Sequence, residues 1–179
     1  MRIRRPPRAD YQITPTPIVV GADVIMDLVG IGGRRGNGAE ELFEAIAADV
    51  ESGTMRVPAW ISPLTVPLLY HLSDSRPRSA VSFGVVQDLL RLVRVAPLDN
   101  MDYLSALYFS DVDFEDAIQF VACRRVGARY FVTSKHFDVK RAPAERRTPM
   151  AVAPLFRAAS REAAANEPPA SGADISFGG

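Results

Sequence analysis

The segment Asp113–Thr133, DFEDAIQFVACRRVGARYFVT, decides how the rest of the chain is read. Asp113 stands in N-cap position, with Asp116 three residues on, so carboxylates gather at the start of a helix. Ala117, Ile118, Phe120, Val121 and Val126 recur at helical spacing and predict its inward face. Gly127 ends the helix, and Tyr130–Val132 follows as a short apolar strand reaching Thr133. Whether other parts of the chain bring further acids to this helix start decides the function.

Working outward, strands and helices alternate. Pro17–Val20 is a fully apolar strand, of the kind found in the middle of a parallel sheet. Gly21-Ala22-Asp23 then leads into helical Val24–Leu28, placing Asp23 near a strand's carboxyl end, where open α/β sheets bind ligands. Gly30–Gly38 (GIGGRRGNG) lacks the Gly-Lys-Ser/Thr ending of a phosphate-binding Walker loop and reads as a connection between helices. Leu42, Phe43, Ile46 and Val50 give a helix over 39–52, ended by Gly53. Residues 56–61 form a second strand, and Ser62 opens a helix in which Pro67 signals a kink or a late start. A helix over 79–92, a third strand over 93–96 and a helix capped by Asp99 and running to about Phe109 complete the chain up to Asp113. Beyond the fourth strand lies an irregular basic loop. Ala151–Ala153 is expected as a fifth, edge strand, and Pro154 as the start of a last helix to about Ala165. The alternation predicts an α/β fold: a mainly parallel sheet of four or five strands covered by helices on both faces.

Composition restricts the partners. The 179 residues carry 21 basic and 21 acidic side chains, so the whole chain has no bias toward polyanions. Charge is nevertheless clustered. Arg2, Arg4, Arg5 and Arg8 make a basic, Pro-rich arm over 1–16. Glu40, Glu41, Glu44, Asp49 and Glu51 make an acidic segment. Arg124, Arg125, Arg129, Lys140 and Arg141 offer a surface for protein or RNA. One domain is expected over 17–165, followed by a Pro-, Ala-, Gly- and Ser-rich tail over 166–179. Cys123, the single cysteine, falls among apolar residues and reads as packing; it excludes an intrachain disulfide or a cysteine zinc site. His71, alone beside Tyr70, reads as a packing or surface residue. No apolar run approaches the ~18 residues of a membrane span, and Pro6, Pro7 and Asp10 interrupt any signal-peptide core. A cytoplasmic protein is the default expectation.

Taken together, VVGADVIMDL, ISPLTVPLLYHL, DFEDAIQFVACRRVGARYFVTSKHF and AVAPLF, in this order, resemble a PIN domain over roughly residues 17–158. The family includes the toxin nucleases of bacterial toxin–antitoxin pairs. The resemblance implies a three-layer α/β/α fold and, in active members, RNA cleavage with Mg²⁺ or Mn²⁺ held by carboxylates at the strands' carboxyl ends. Hard divalent cations take oxygen ligands, activate water and neutralise phosphate charge. Carried over position by position, the family's third acid matches Asp116. Its first acid falls at Gly21, with Asp23 two residues on. Its second falls within TVPLLYHL, which has no carboxylate, and its fourth falls near Lys135, a cation.

Two functions follow. The first is a PIN-like module without nuclease activity, with Gly21 and Lys135 as marks of a lost metal site and no cofactor. It would bind a protein partner (a complex subunit or antitoxin) or RNA, and would admit homo-oligomers but no membrane. The alternative is a Mg- or Mn-dependent ribonuclease of the toxin–antitoxin type, with Asp23, Asp113 and Asp116 as ligands and Asp23 and Asp116 as its catalytic pair. Asp113 and Asp116 also read as helix-capping residues, and Asp27 as a structural hydrogen-bond partner. An ammonium at Lys135, beside Asp116 and Asp23, would take the charge role of the metal.

Overall fold

The computed structural model describes residues 16–30, 37–53, 57–74, 83–136 and 142–166. Among these residues five strands and seven helices follow one another as β1 (Ile18–Val20), α1 (Ala22–Leu28), α2 (Ala39–Glu51), β2 (Ala59–Ile61), α3 (Thr65–Asp74), α4 (Phe83–Leu92), β3 (Arg94–Val95), α5 (Asn100–Ala106), α6 (Phe114–Val126), β4 (Tyr130–Val132), β5 (Glu145–Arg147) and α7 (Pro149–Asn166). The strands form one all-parallel sheet in the order β3-β2-β1-β4-β5. The N-terminal arm, residues 31–36 of the glycine-rich segment, residues 79–82, Lys140, Arg141 and the tail from 167 lie outside the described residues.

Alternation along the strands builds the three layers. Ile18 and Val20, Ala59 and Ile61, and Tyr130 and Val132 share one face of the sheet, which meets α1, α2, α4 and α7 through Ile25, Leu42, Ile46, Leu89, Val152 and Phe156. Val19, Trp60 and Phe131 point the other way, toward Phe120 and Cys123 of α6. Phe120 stacks edge-on to Phe131 at 5.6 Å between centroids and tilts against Phe109 at 5.8 Å. Ala117, Ile118 and Val121 of α6 make a further cluster with Ala106 of α5. With β1 buried on both faces, its unbroken IVV run is what a central parallel strand requires.

Local signals terminate the helices as expected. Asp99 accepts from the Met101 and Asp102 amides while the Asp102 side chain accepts from the Asp99 amide, a reciprocal capping box. Asp113 caps α6 through the Asp116 amide at 2.8 Å, and Gly127 closes it in the left-handed region at φ 63°. Pro67 coincides with a late start: α3 begins at Thr65, so the ring falls in the first turn, where no N–H donor is missed. Among the described residues no helix is long and apolar enough to cross a membrane.

The expectation at the C-terminal end is corrected. Ala151–Ala153 is not the fifth strand, and Pro154 does not open the last helix. α7 begins at Pro149 and carries Pro154 inside it. Val152, Ala153 and Phe156 are buried while Ala151, Pro154 and Leu155 are not, a helical spacing against α2 rather than the alternation of a strand. The fifth strand is instead Glu145–Arg147, within the basic segment expected to be irregular. It is exposed along its length and pairs with β4 through the backbone, Glu145 N donating to Arg129 O and Thr133 N to Arg147 O, both at 3.0 Å. Charged residues suit an exposed sheet edge because they discourage further pairing.

Phe156→Ala should therefore lower the unfolding free energy by about 3–5 kcal/mol in urea titrations, the cost of a large buried ring and its cavity. Leu155→Ala, one residue away on the exposed side of α7, should change it by less than about 1 kcal/mol.

Candidate functional site

The strand order places a crevice in the sheet. From β1 the chain moves outward to β2 and β3, then returns to lay β4 on the other side of β1. The segments leaving the carboxyl ends of β1 and β4 diverge there, at the switch point where open α/β sheets bind their ligands. Gly21 and Asp23 leave β1, Thr133–Lys135 leave β4, and the start of α6 supplies Asp116.

Gly21 joins the two strands directly, its amide donating to Val132 O at 2.8 Å. A β-carbon at this position would lie 2.5 Å from Asp23 Oδ1 and 3.1 Å from the Val132 carbonyl, so any side chain would have to push the Asp23 carboxylate aside. α1 starts at Ala22, and Asp23 lies in its first turn. Asp23 Oδ2 accepts from Thr133 Oγ1 at 3.0 Å, Ser134 N at 2.7 Å and Lys135 N at 3.2 Å. Thr133 Oγ1 in turn accepts from Lys135 N at 3.0 Å. One carboxylate thus holds the turn after β4 in place.

Asp116 is held from two sides. Gln119 Nε2 donates to its Oδ1 at 3.0 Å, and Lys135 Nζ lies 3.2 Å from Oδ1 and 3.3 Å from Oδ2. Gln119, only 2% exposed, uses its other end to accept the Ala22 amide at 2.9 Å. The amide side chain thereby couples the start of α1 to the acid on α6. Asp116 is 5% exposed, whereas the Lys135 side chain is 42% exposed and forms the outer wall of the site.

The charges follow from this burial. Desolvation pushes the Asp116 carboxyl above its usual range, against the pull of Lys135; Asp113 and Asp23 add to the rise. Glu115 is raised in the same way, first by burial, with Lys135 opposing and Asp116, Asp113 and Asp23 assisting. Burial works against the Lys135 ammonium, but Asp116, Asp113 and Asp23 outweigh it and hold the group above the ordinary lysine value. At neutral pH the lysine is a fixed cation, unsuited to act as a base.

The expected acids do not assemble into one ligand set. Asp113 spends Oδ1 on the helix cap, Asp23 spends Oδ2 on three donors, and both oxygens of Asp116 face an ammonium. Among the described residues no three His, Cys, Asp or Glu side chains stand together as ion ligands. A hard divalent cation needs several free oxygens, and in this arrangement the residues do not fit one.

The expected basic surface divides. Arg124 donates to Ser105 Oγ at 2.7 Å, and Arg125 pairs with Asp99 and Asp102 at 3.4 and 3.6 Å, so both fasten α5 to α6. Arg129 and Arg147 instead stand over the Tyr130 ring at 5.2 and 5.6 Å. Asp27 is a structural acceptor, as expected, bonded by Asn37, whose amide also donates to Ser134 Oγ at 3.0 Å. Cys123 is buried, and desolvation pushes its thiol far up, so it is no nucleophile. His71 is exposed on α3. Three participants escaped sequence reasoning: Gln119, Asn37 and Arg146, which donates to the Lys135 carbonyl at 3.0 Å. Polar residues of this kind carry no motif. Only the position of Gln119, one helical turn after Asp116 and among apolar neighbours, distinguishes it.

Gly21→Ala should cost about 1–3 kcal/mol in thermal or urea unfolding, since the new methyl displaces the Asp23 carboxylate from the turn it holds and crowds the Val132 carbonyl. Lys135→Met should leave Asp116 and Glu115 raised with nothing to oppose the rise. Groups whose folded pKa is raised withdraw stability as pH climbs through it. The variant should match wild type below about pH 4, where the carboxyls are protonated. At pH 7 it should be less stable by about 1 kcal/mol, a modest figure because Lys135 is half exposed. A deficit of the same size across this range would show that the lysine acts through packing and not through charge.

The chain matches no protein-family model and no curated protein.

Proposed function

We propose that this chain is a PIN-like domain in which a tethered ammonium takes the place of the metal, and that it acts as a non-catalytic binding or structural module for protein or RNA. The observation that carries this reading is the contact of Lys135 Nζ with both oxygens of Asp116 at the switch point of the sheet. Asp116 is the acid that best matches the family's motif. Its opposite charge here comes from the chain itself, at the position where the family places a fourth ligand. Two further features support the reading. Gly21 occupies the first acid's position, where a β-carbon would crowd Asp23 Oδ1 and the Val132 carbonyl, and the first turn of α3 contains no acid.

A lone ammonium supplies one positive charge and no site for activating water, whereas metal-dependent hydrolysis of a phosphodiester draws on a divalent ion for both. The arrangement neutralises a carboxylate cluster instead of preparing it for chemistry. The competing reading, a Mg- or Mn-dependent ribonuclease using Asp23, Asp113 and Asp116, draws on the excess of carboxylates that act on Lys135.

Two measurements separate the readings. Under the first, Mg²⁺ or Mn²⁺ up to millimolar levels leaves Tm unchanged, because an ion that does not bind the native state cannot stabilise it. A structured RNA incubated with Mn²⁺ is cut no faster by wild type than by Asp116→Ala. A saturable rise in Tm that disappears in Asp116→Asn, together with cleavage lost in Asp116→Ala, would establish the ribonuclease.

A further inference from the structure

β5 forms one edge of the sheet, and among the described residues no strand lies beyond it. Its pairing with β4 uses the backbone of Glu145 and Arg147: Glu145 N donates to Arg129 O, and Arg147 O accepts from Thr133 N. Alternate residues of a strand turn their backbone groups to opposite sides, so the N–H and C=O of Arg146 face outward. Side chains alternate between the faces as well. Glu145 and Arg147 stand on the Tyr130 side, where Arg129 also reaches over the ring. Arg146 lies on the other side, with its guanidinium on the Lys135 carbonyl. All four charged residues are exposed. Three guanidiniums thus meet one carboxylate, Glu145, which is paired with Arg147. Among the described residues no acid pairs with Arg129 or Arg146.

We infer, resting on the reading of the chain as a binding module, that this edge accepts an extended, acidic segment of a partner protein as a further strand. Backbone and charge both point to this occupant. An added strand answers the outward N–H and C=O of Arg146 with a carbonyl and an amide of its own, and side chains at alternate positions set its specificity. Carboxylates on that strand meet the positive charge of Arg129 and Arg146, which no acid of the chain offsets. The same arginines repel a second copy, which would bring its own arginines against them. They discourage like charge only, and a strand of opposite sign is drawn to the same place. RNA suits the edge less well. Its phosphates are acceptors and would face the Arg146 carbonyl. Tyr130, the ring beside these arginines, is 7% exposed and offers no face on which a base could stack.

The test is fluorescence anisotropy of a labelled peptide of about eight residues that alternates glutamate with threonine, long enough to pass β5 at both ends. Wild type should bind it saturably, with a dissociation constant on the order of 100 μM. The same peptide with glutamine in place of glutamate should bind about tenfold more weakly. Arg146→Gln removes a charge, keeps the outward amide and should weaken binding by about threefold at most. Arg146→Pro removes that amide as well but none of the bonds to β4, a position where an edge strand tolerates proline. It should bind roughly tenfold more weakly than Arg146→Gln. A fully N-methylated peptide, tested on the unaltered chain, probes the same backbone pairing without touching the fold, and should not bind. Absence of saturable binding by wild type overturns the inference. So does binding that the methylated peptide retains, or an Arg146→Pro chain of unchanged Tm that binds as Arg146→Gln does, because charge alone would then hold the peptide. Oligouridylate that displaces the labelled peptide at a lower concentration than unlabelled peptide does would make the edge an RNA surface and overturn it too. Stabilisation by Mn²⁺ or cleavage of RNA would show instead that the reading as a binding module had itself failed.

Discussion

The carboxylate of Asp23 is the tie on which the crevice depends. A parallel sheet holds its strands through evenly spaced backbone bonds, and these stop where the strands end. At the switch point the chains leaving β1 and β4 turn apart, and the last sheet bond, from Thr133 N to Arg147 O, leaves the turn over Ser134 and Lys135 unheld by the sheet. Asp23 holds it by accepting from Thr133, Ser134 and Lys135 at one oxygen. The Lys135 backbone is thereby anchored, and its side chain has only to extend to reach Asp116. Hydrogen bonds to a charged acceptor are among the stronger ones available to a protein, about 1.5–3 kcal/mol each, enough to order a turn of this length. Gly21 belongs to the same constraint, since any side chain there would displace the carboxylate that makes the tie.

Around this anchored turn the electrostatics balance locally. Asp116, Asp113 and Asp23 all act on Lys135, and burial raises Asp116 and Glu115, with Lys135 opposing the rise in both. With the lysine present, the charged form of Asp116 is tolerated at 5% exposure. The second support is Gln119, which satisfies the first amide of α1 and one oxygen of Asp116 with the two ends of a single side chain. A buried amide of this kind is justified only when both ends are matched, and here they join the elements that flank the crevice on opposite faces of the sheet.

What could be read from the sequence was what depends on neighbours along the chain. Asp99 and Asp113 announced their caps, Gly127 its left-handed turn and Tyr130–Val132 its strand, because each is decided within a few residues. β5 could not be read that way. Glu145–Arg147 has no apolar residue and gains its strand geometry from the backbone of β4, a partner that periodicity does not reveal. Ala151–Ala153 failed in the opposite direction. An apolar triplet before a proline imitates a strand, and only the placing of Phe156 one turn after Val152 betrays the helix. For the site, the nearness of Asp116 and Lys135 was expected only from the resemblance, whereas Gln119, Asn37 and Arg146 enter through distances that no spacing encodes.

The exposed half of Lys135 bears on what the site can exchange with its surroundings. A divalent ion arriving there would have to displace an ammonium already in contact with both oxygens of Asp116, and would still find Asp23 and Asp113 committed to backbone amides. Recruiting Asp23 Oδ2 or Asp113 Oδ1 would loosen the turn after β4 or the first turn of α6, so at these two oxygens an ion and the local fold compete. The bare Gly21 and the cation of Lys135 are two parts of one arrangement: the first lets the β1 and β4 ends come together through the bond from its amide to Val132 O, and the second pairs with the buried acid beside them.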